Sequence, residues 1–285
     1  MTARVAAIQM VSRPEVAINL ARASSLIAEA AGQGAELVVL PEAFATFGDR
    51  AAVAHTAERE ADSGNLQQWL AAQARQHSVV LVGGTIPVAS DDGRAWAACL
   101  VFDAAGECLG RYDKLHLFDA SVGDETGRYC ESRDYRPGAQ PLVVDTALGR
   151  LGLAVCFDLR FAAQFQWLHA QGADMIAVPS AFTRRTGLAH WLPLLRARAI
   201  ETQCLIIGAN QGGEHSATRK TSGGSAVVDA WGEVLVEAGF GEAALTTNWD
   251  KARQSIIREQ IPVVGRSRFS VAWESDDEAG PTSPA

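Results

Sequence analysis

The stretch Leu151-Gly152-Leu153-Ala154-Val155-Cys156-Phe157-Asp158-Leu159-Arg160-Phe161 decides how this chain is read. Its first residues are small or apolar and follow a Leu148-Gly149 turn, which predicts a buried strand. The polar residues after Cys156 lead into Ala162-Ala163-Gln164-Phe165-Gln166-Trp167-Leu168 and predict a helix start. Cys156 then stands at a strand-to-helix corner. An α/β protein presents a nucleophile at such a corner, because the side chain protrudes beyond the sheet while unpaired N–H groups of the helix start face any developing oxyanion. On this stretch alone a buried structural thiol is the plainer reading, since free cysteine is among the most buried residue types.

Working outward, the composition bounds what Cys156 can belong to. The 285 residues are 48% hydrophobic and 20% charged, enough for a substantial core in one large or two modest domains. A formal net charge of −8 argues against nucleic acid or an anionic membrane as a partner, since both reward clustered Lys and Arg. Five cysteines with no C-x-x-C spacing suggest neither a disulfide framework nor a zinc ribbon. The chain enters a strand-like run, Val5 to Met10, and contains no apolar run long enough to span a bilayer. The expectation is a soluble cytoplasmic protein.

Helices and strands alternate along the chain. Pro14 fits the first turn of a helix carried by Val16, Leu20, Ala23 and Ile27, which Gly32 or Gly34 can end. Glu36 to Leu40 predicts a buried strand ending in Pro41-Glu42-Ala43-Phe44. A helix over roughly Leu66 to His77 precedes the strand Val79 to Val82. Leu100 to Asp103 and Glu107 to Leu109 flank Ala104-Ala105-Gly106 as a hairpin. Trp191 to Glu201 forms a strong helix before the strand from Cys204 to Asn210. Gly212-Gly213 and Gly223-Gly224 read as turns. Residues 1–273 are expected to form a single domain, and 274–285, made almost wholly of Glu, Asp, Gly, Pro, Ser and Ala, a disordered tail.

Two internal echoes run in the same order. Val39-Leu40-Pro41-Glu42-Ala43-Phe44 recurs as Ala177-Val178-Pro179-Ser180-Ala181-Phe182, and Val101 to Glu107 recurs as Val227 to Glu233. Two similar halves, each with a strand corner and a hairpin, would leave this pattern when packed as two sheets around a common core. Ser180 stands where the first half has Glu42. The corner therefore needs no acid for folding, and chemistry is the better account of Glu42.

Glu42, Lys114 and Cys156 thus each follow a predicted strand. A thiol attacking a carbonyl or nitrile carbon needs a base and an oxyanion donor. A poorly solvated glutamate suits the first task and a lysine the second. His116 and His190 have no spacing that specifies a catalytic role and are read as structural or pocket-lining residues, His190 within a loop from Gly187 to Trp191. No H-E-x-x-H or Gly-rich phosphate motif is present.

With these residues in view, Pro41 to Phe44, Tyr112-Asp113-Lys114-Leu115-His116-Leu117-Phe118 and Gly152 to Phe161 resemble the three catalytic motifs of the nitrilase superfamily of carbon-nitrogen hydrolases. The likeness covers nearly the whole chain and overturns the structural reading of Cys156. It implies an α/β fold, a four-layer α-β-β-α sandwich of two pseudo-symmetric halves. It also implies Glu42 as general base, Lys114 as oxyanion stabiliser with the Phe157 backbone N–H, and Cys156 as a nucleophile forming a thioester. Glu131, in Cys130-Glu131-Ser132-Arg133, matches the second glutamate of the family. No metal or organic cofactor is implied. A homodimer or larger homo-oligomer is.

Within the superfamily the chain is similar to the Nit branch of amidases, through Lys114 to Asp119, Pro179 to Phe182, Ala189-His190-Trp191 and Leu195-Arg196-Ala197-Arg198-Ala199-Ile200-Glu201-Thr202-Gln203-Cys204. Nitrilases proper usually place Trp and Glu after the cysteine, whereas this chain has Phe157 and Asp158, so the implied substrate is an amide. Among the branch it looks most like deaminated glutathione amidases, with omega-amidases and broader aliphatic or carbamoyl amidases as alternatives. Three intact reactive residues speak against an idle scaffold on the same fold. Substrates of both groups are anionic, so Arg184 or Arg185, in the loop from Thr183 to Gly187, is a candidate to hold a carboxylate, with a solvated surface pair as the competing reading. Two departures lie near the pocket, Ala162-Ala163 in place of Pro-Glu and Leu188 in place of proline.

Overall fold

The computed structural model describes residues 2–48, 50–57, 64–263 and 266–273. The first half of the chain runs through β1 (Thr2–Gln9), α1 (Val16–Gly32), β2 (Leu37–Val39), α2 (Arg50–Thr56), α3 (Asn65–His77) and β3 (Val80–Val82). A meander of β4 (Ile86–Ala89), β5 (Ala95–Phe102) and β6 (Cys108–Asp113) follows, then the small hairpin β7 (Asp119–Ser121) and β8 (Arg128–Cys130), and β9 (Tyr135–Arg136). The second half comprises β10 (Val143–Thr146), β11 (Gly149–Leu153), α4 (Ala162–Ala170), β12 (Met175–Ser180), α5 (Arg184–Thr202), β13 (Leu205–Asn210), β14 (Ala226–Val228) and β15 (Val234–Glu237). The chain then returns to the first sheet through β16 (Ala243–Asp250), antiparallel to β1, and closes on α6 (Lys251–Gln260).

One sheet has the order β16-β1-β2-β3-β5-β4, with β6 and β9 also paired to β5, and the other β10-β11-β12-β13-β14-β15. Side chains alternate across each strand. Val5, Ala7, Val39, Val82 and Val101 therefore join Leu153, Ala177 and Ile207 of the second sheet in one central core. Ala6, Ile8, Val38 and Leu81, one residue out of phase, pack instead against Leu26 and Ile27 of α1 and Leu70 of α3. Helices α4 and α5 cover the far side of the second sheet. A Cβ on Gly208 would lie 2.7 Å from Trp191 and 2.9 Å from Leu195, so only glycine lets α5 approach β13 this closely. Four layers, α-β-β-α, result.

The internal echo is structural. Strands β1-β2-β3 are parallel and lead to the β5–β6 hairpin, as β11-β12-β13 are parallel and lead to β14–β15. At both hairpin tips an aspartate oxygen accepts two backbone N–H groups: Asp103 those of Ala105 and Glu107, Asp229 those of Trp231 and Glu233. The two proline corners differ. Strand β2 stops before Pro41, whereas β12 runs through Pro179 to Ser180.

Two local expectations are corrected. Helix α1 begins at Val16, so Pro14 precedes it rather than filling its first turn; Asn19 ties the entry by bonding the Arg13 backbone and the Ala45 carbonyl. Residues 184–191, expected as loops, are the first turns of α5, capped by the Thr183 hydroxyl accepting from the Thr186 N–H. The tail expected over 274–285 lies outside the described residues. Among the described residues, no helix is long and apolar enough to cross a membrane.

Candidate active site

Cys156 opens a short 3-10 turn, Cys156–Arg160, immediately past β11, and its φ is +50°. A non-glycine residue in the left-handed region costs on the order of 1 kcal/mol or more and persists only where its surroundings hold it. Asp158 supplies the hold. Its fully buried carboxylate accepts from the Val155 N–H at 2.7 Å, the Tyr112 hydroxyl at 2.6 Å, and the His116 N–H and Nδ1 at 3.0 and 2.7 Å. The elbow bearing Cys156 is thereby fastened to the corner after Lys114.

Glu42 sits on a second strained corner. Ala43 beside it has φ +54°, its N–H donates to Thr85 Oγ1 at 2.8 Å, and the Glu42 carbonyl accepts from Gln211 Nε2 at 3.0 Å. Lys114 follows β6, with its N–H on the Ala97 carbonyl and its carbonyl taking the Gly138 N–H. Its side chain, 2% exposed, places Nζ 2.8 Å from Glu42 Oε1 and 2.9 and 2.8 Å from the two oxygens of Glu131. Glu131 is itself oriented by the Phe118 N–H, 2.6 Å from Oε2.

The electrostatics follow from one cation between two carboxylates in a poorly solvated space. Burial works against the Lys114 ammonium, but Glu131, Glu42 and Cys156 outweigh it and hold its pKa well above the usual lysine range. Burial, relieved by Lys114 and reinforced by Glu42, raises that of Glu131. Burial and then the Glu42 charge push the Cys156 thiol well up, against the pull of Lys114 and of the Ala181 N–H that donates to the sulfur. With its pKa raised this far, the resting sulfur is a thiol, and the Glu42 carboxylate acts on it at close range. Such an arrangement can pass the thiol proton to Glu42 only as the sulfur attacks, while Lys114 remains charged throughout.

These groups line a cavity of about 360 Å³, with Phe157 at its wall. Five arginines also line it: Arg50, Arg128, Arg133, Arg160 and Arg219. Arg184, Arg185 and His190 do not. Arg184 reaches Glu214 and lies over the Phe240 ring, the Arg185 guanidinium donates to the Gly123 carbonyl, and His190 Nδ1 lies 3.3 Å from Arg160. Of the arginines near the elbow, it is Arg160 that reaches the cavity wall. Its guanidinium lies over Phe157 and Phe182, 5.8 and 5.4 Å from their centroids, and it has no carboxylate partner among the described residues. Arg160 stands inside the third motif and could have been singled out there; Arg219 and Gln211 carry no local signal. Among the described residues no cluster of three or more His, Cys, Asp or Glu is placed to hold a metal ion.

A family model described as carbon-nitrogen hydrolase matches residues 4–256. The chain belongs to the carbon-nitrogen hydrolase family. A deaminated glutathione amidase from Yersinia enterocolitica is 43% identical over 94% of this hydrolase and 93% of that protein. An omega-amidase NIT2 from Mus musculus is 37% identical over 94% and 95%. The solved structure of the C. elegans NitFhit protein superposes with a TM-score of 0.87 at 34% identity, covering 95% of this hydrolase and 66% of that longer chain. The sandwich described above is thus the architecture of this family.

Proposed function

We propose that this hydrolase is a thiol-dependent amidase that cleaves the amide of a small carboxylate-bearing substrate through a Cys156 thioester, deaminated glutathione being the substrate. The convergence of Glu42, Lys114 and Cys156 from three separate strand ends into one buried cavity carries this reading. Glu42 takes the thiol proton as Sγ attacks the amide carbon. Lys114 Nζ and the Phe157 N–H hold the oxyanion, and Glu131 anchors Lys114. Collapse expels the amine with the proton from Glu42. Water, deprotonated by Glu42, then attacks the thioester, and collapse of the second tetrahedral adduct releases the acid and returns the proton to sulfur.

Arg160 lies close enough to Cys156 for the two to interact electrostatically, which suits it to a carboxylate on the acyl half of the substrate. The omega-amidase relative supports a second reading, in which 2-oxoglutaramate is preferred. Comparing release of 2-oxoglutarate from the two amides decides between them. A clear preference in kcat/KM for deaminated glutathione is expected, and the opposite preference moves the protein to omega-amidase chemistry.

The same reading takes residues 1–273 as one hydrolase domain without a nucleic-acid or membrane partner. All five cysteines are free, which supports the reducing cytoplasm as its compartment. Leu188 and Ile200 are 68% and 51% exposed on α5 and support burial of that helix in a homodimer or larger homo-oligomer.

A further inference from the structure

The cavity carries a second cation that the proposed chemistry leaves unused. The Arg219 guanidinium lies over two rings, 5.0 Å from the centroid of Phe47 and 4.6 Å from that of Tyr129. Most of the neighbouring cations are paired, Arg50 and Arg133 with Asp134, Arg184 with Glu214 and Lys220 with Glu125, while Arg128 is exposed on β8 and has no ring beneath it among the described residues. Among the described residues, Arg219 has no carboxylate within ion-pair distance. Asp124, which holds the Tyr129 hydroxyl at 2.8 Å on one oxygen, spends the other on the N–H groups of Thr126 and Gly127. Ring contacts of this kind use no N–H donor, so the donors of Arg219 stay available to a planar anion, and the two rings already restrict the long side chain in the free protein.

Arg160 and Arg219 share no ring and belong to different walls. Arg160 is tied to the elbow and to α5 through Phe157, Phe182 and His190. Arg219 belongs to the 213–221 loop, whose exposed Ser216 and Thr218 form part of the cavity's rim. The acyl half of an amide stays on Cys156 through the thioester, so the cation within reach of that sulfur serves the acyl half. The cation at the solvent rim serves the half that leaves. We propose that Arg219, held over Phe47 and Tyr129, is a second anion subsite that takes a carboxylate carried on the amine side of the scissile amide. Deaminated glutathione, with a carboxylate on each side of its scissile bond, engages both cations, whereas 2-oxoglutaramate has none on the amine side and leaves Arg219 idle. This rests on the amidase reading above.

The test uses the full chain, Arg219→Ala and Arg219→Lys, and two substrates: a 2-oxoglutaryl amide of a dipeptide with a free C-terminal carboxylate, and its C-terminal carboxamide. A charge-assisted bond lost from one partner predicts that the wild type favours the free acid by roughly tenfold or more in kcat/KM, mostly through KM. Arg219→Ala should erase that preference and Arg219→Lys should restore part of it. Retention of the preference in Arg219→Ala, or an equal loss on both substrates, overturns the subsite and leaves Arg219 as packing for the loop. Calorimetric binding of the same two compounds to Cys156→Ala, with and without Arg219→Ala, reads the contrast without turnover. Absence of hydrolysis therefore counts against the amidase reading alone, while equal binding of acid and carboxamide counts against the subsite.

Discussion

Asp158 Oδ1 accepts both the backbone N–H and the ring Nδ1 of His116, so one buried carboxylate joins the turn after Lys114 to the elbow that bears Cys156. Two reactive corners 42 residues apart in sequence are held in register by this contact. Asp158→Ala leaves the Tyr112 hydroxyl, the Val155 N–H and His116 without their acceptor in a dry interior. A loss of about 3 kcal/mol or more is expected in urea unfolding at an unchanged m-value, together with loss of turnover. A change below about 1 kcal/mol would mean that the elbow holds its own geometry.

Glu131 makes two of the three charged contacts to Lys114. Glu131→Gln keeps an acceptor for the Phe118 N–H but removes the charge that anchors the ammonium. A fall in kcat of roughly 100-fold with little change in KM is expected, because a donor misplaced by an ångström loses most of its value in the transition state. A rise in KM at constant kcat would assign Glu131 to substrate binding instead.

His215 bridges the Ser12 carbonyl through Nδ1 and the Thr221 hydroxyl through Nε2, each at 2.7 Å, and packs edge-on against Phe47. Burial, with Arg219 and Arg184 adding to it against the Ser12 bond, lowers its pKa to about 4 from the usual 6.5. The folded state therefore disfavours the proton. Stability from the neutral ring is fully present above pH 6.5 and is lost as pH falls toward 4. Between pH 7 and 4.5 this linkage amounts to about 2 to 3 kcal/mol, and His215→Gln should lose that much less stability over the same interval. Identical pH slopes in the two proteins would contradict the assignment.

Gly84 has φ +57°, and a Cβ there would run into the Pro41 carbonyl oxygen. Gly84→Ala should therefore displace the corner that carries Glu42. The expected effect is about 2 kcal/mol of destabilisation and a fall in kcat larger than the change in KM, read by urea unfolding and steady-state kinetics. Wild-type values for both would show that the corner can yield without moving Glu42.

Glu42 and Cys156 are legible in the sequence because each follows an apolar run, and a run's end is a local signal. The hairpin tips at Asp103 and Asp229 are legible for the same reason. Lys114 follows the polar end of a hairpin strand, Arg111-Tyr112-Asp113, and is marked only by the motif around it. The start of α5 is hidden by Gly187, which reads as a turn residue and leaves only Trp191 onward as helix. In the fold, a Cβ at Gly187 would strike Ser222, so this glycine serves close packing rather than a break. The grip of Gln211 on the Glu42 carbonyl spans 169 residues, and Arg219 of the second half lies over Phe47 and Tyr129 of the first. No local pattern encodes either. Arg184 and Arg185 show the converse case, a charge pair whose contacts to Glu214 and to the Gly123 carbonyl have no sign in the local sequence.

The thioester is the central claim, and acid-quenched turnover followed by peptide mass analysis tests it most directly. The peptide containing Cys156 should carry the acyl half of the amide, labile to hydroxylamine and absent in Cys156→Ala, which should fold normally and turn nothing over. Continued turnover by Cys156→Ala, or an acyl group found on Cys130 in place of Cys156, would contradict it.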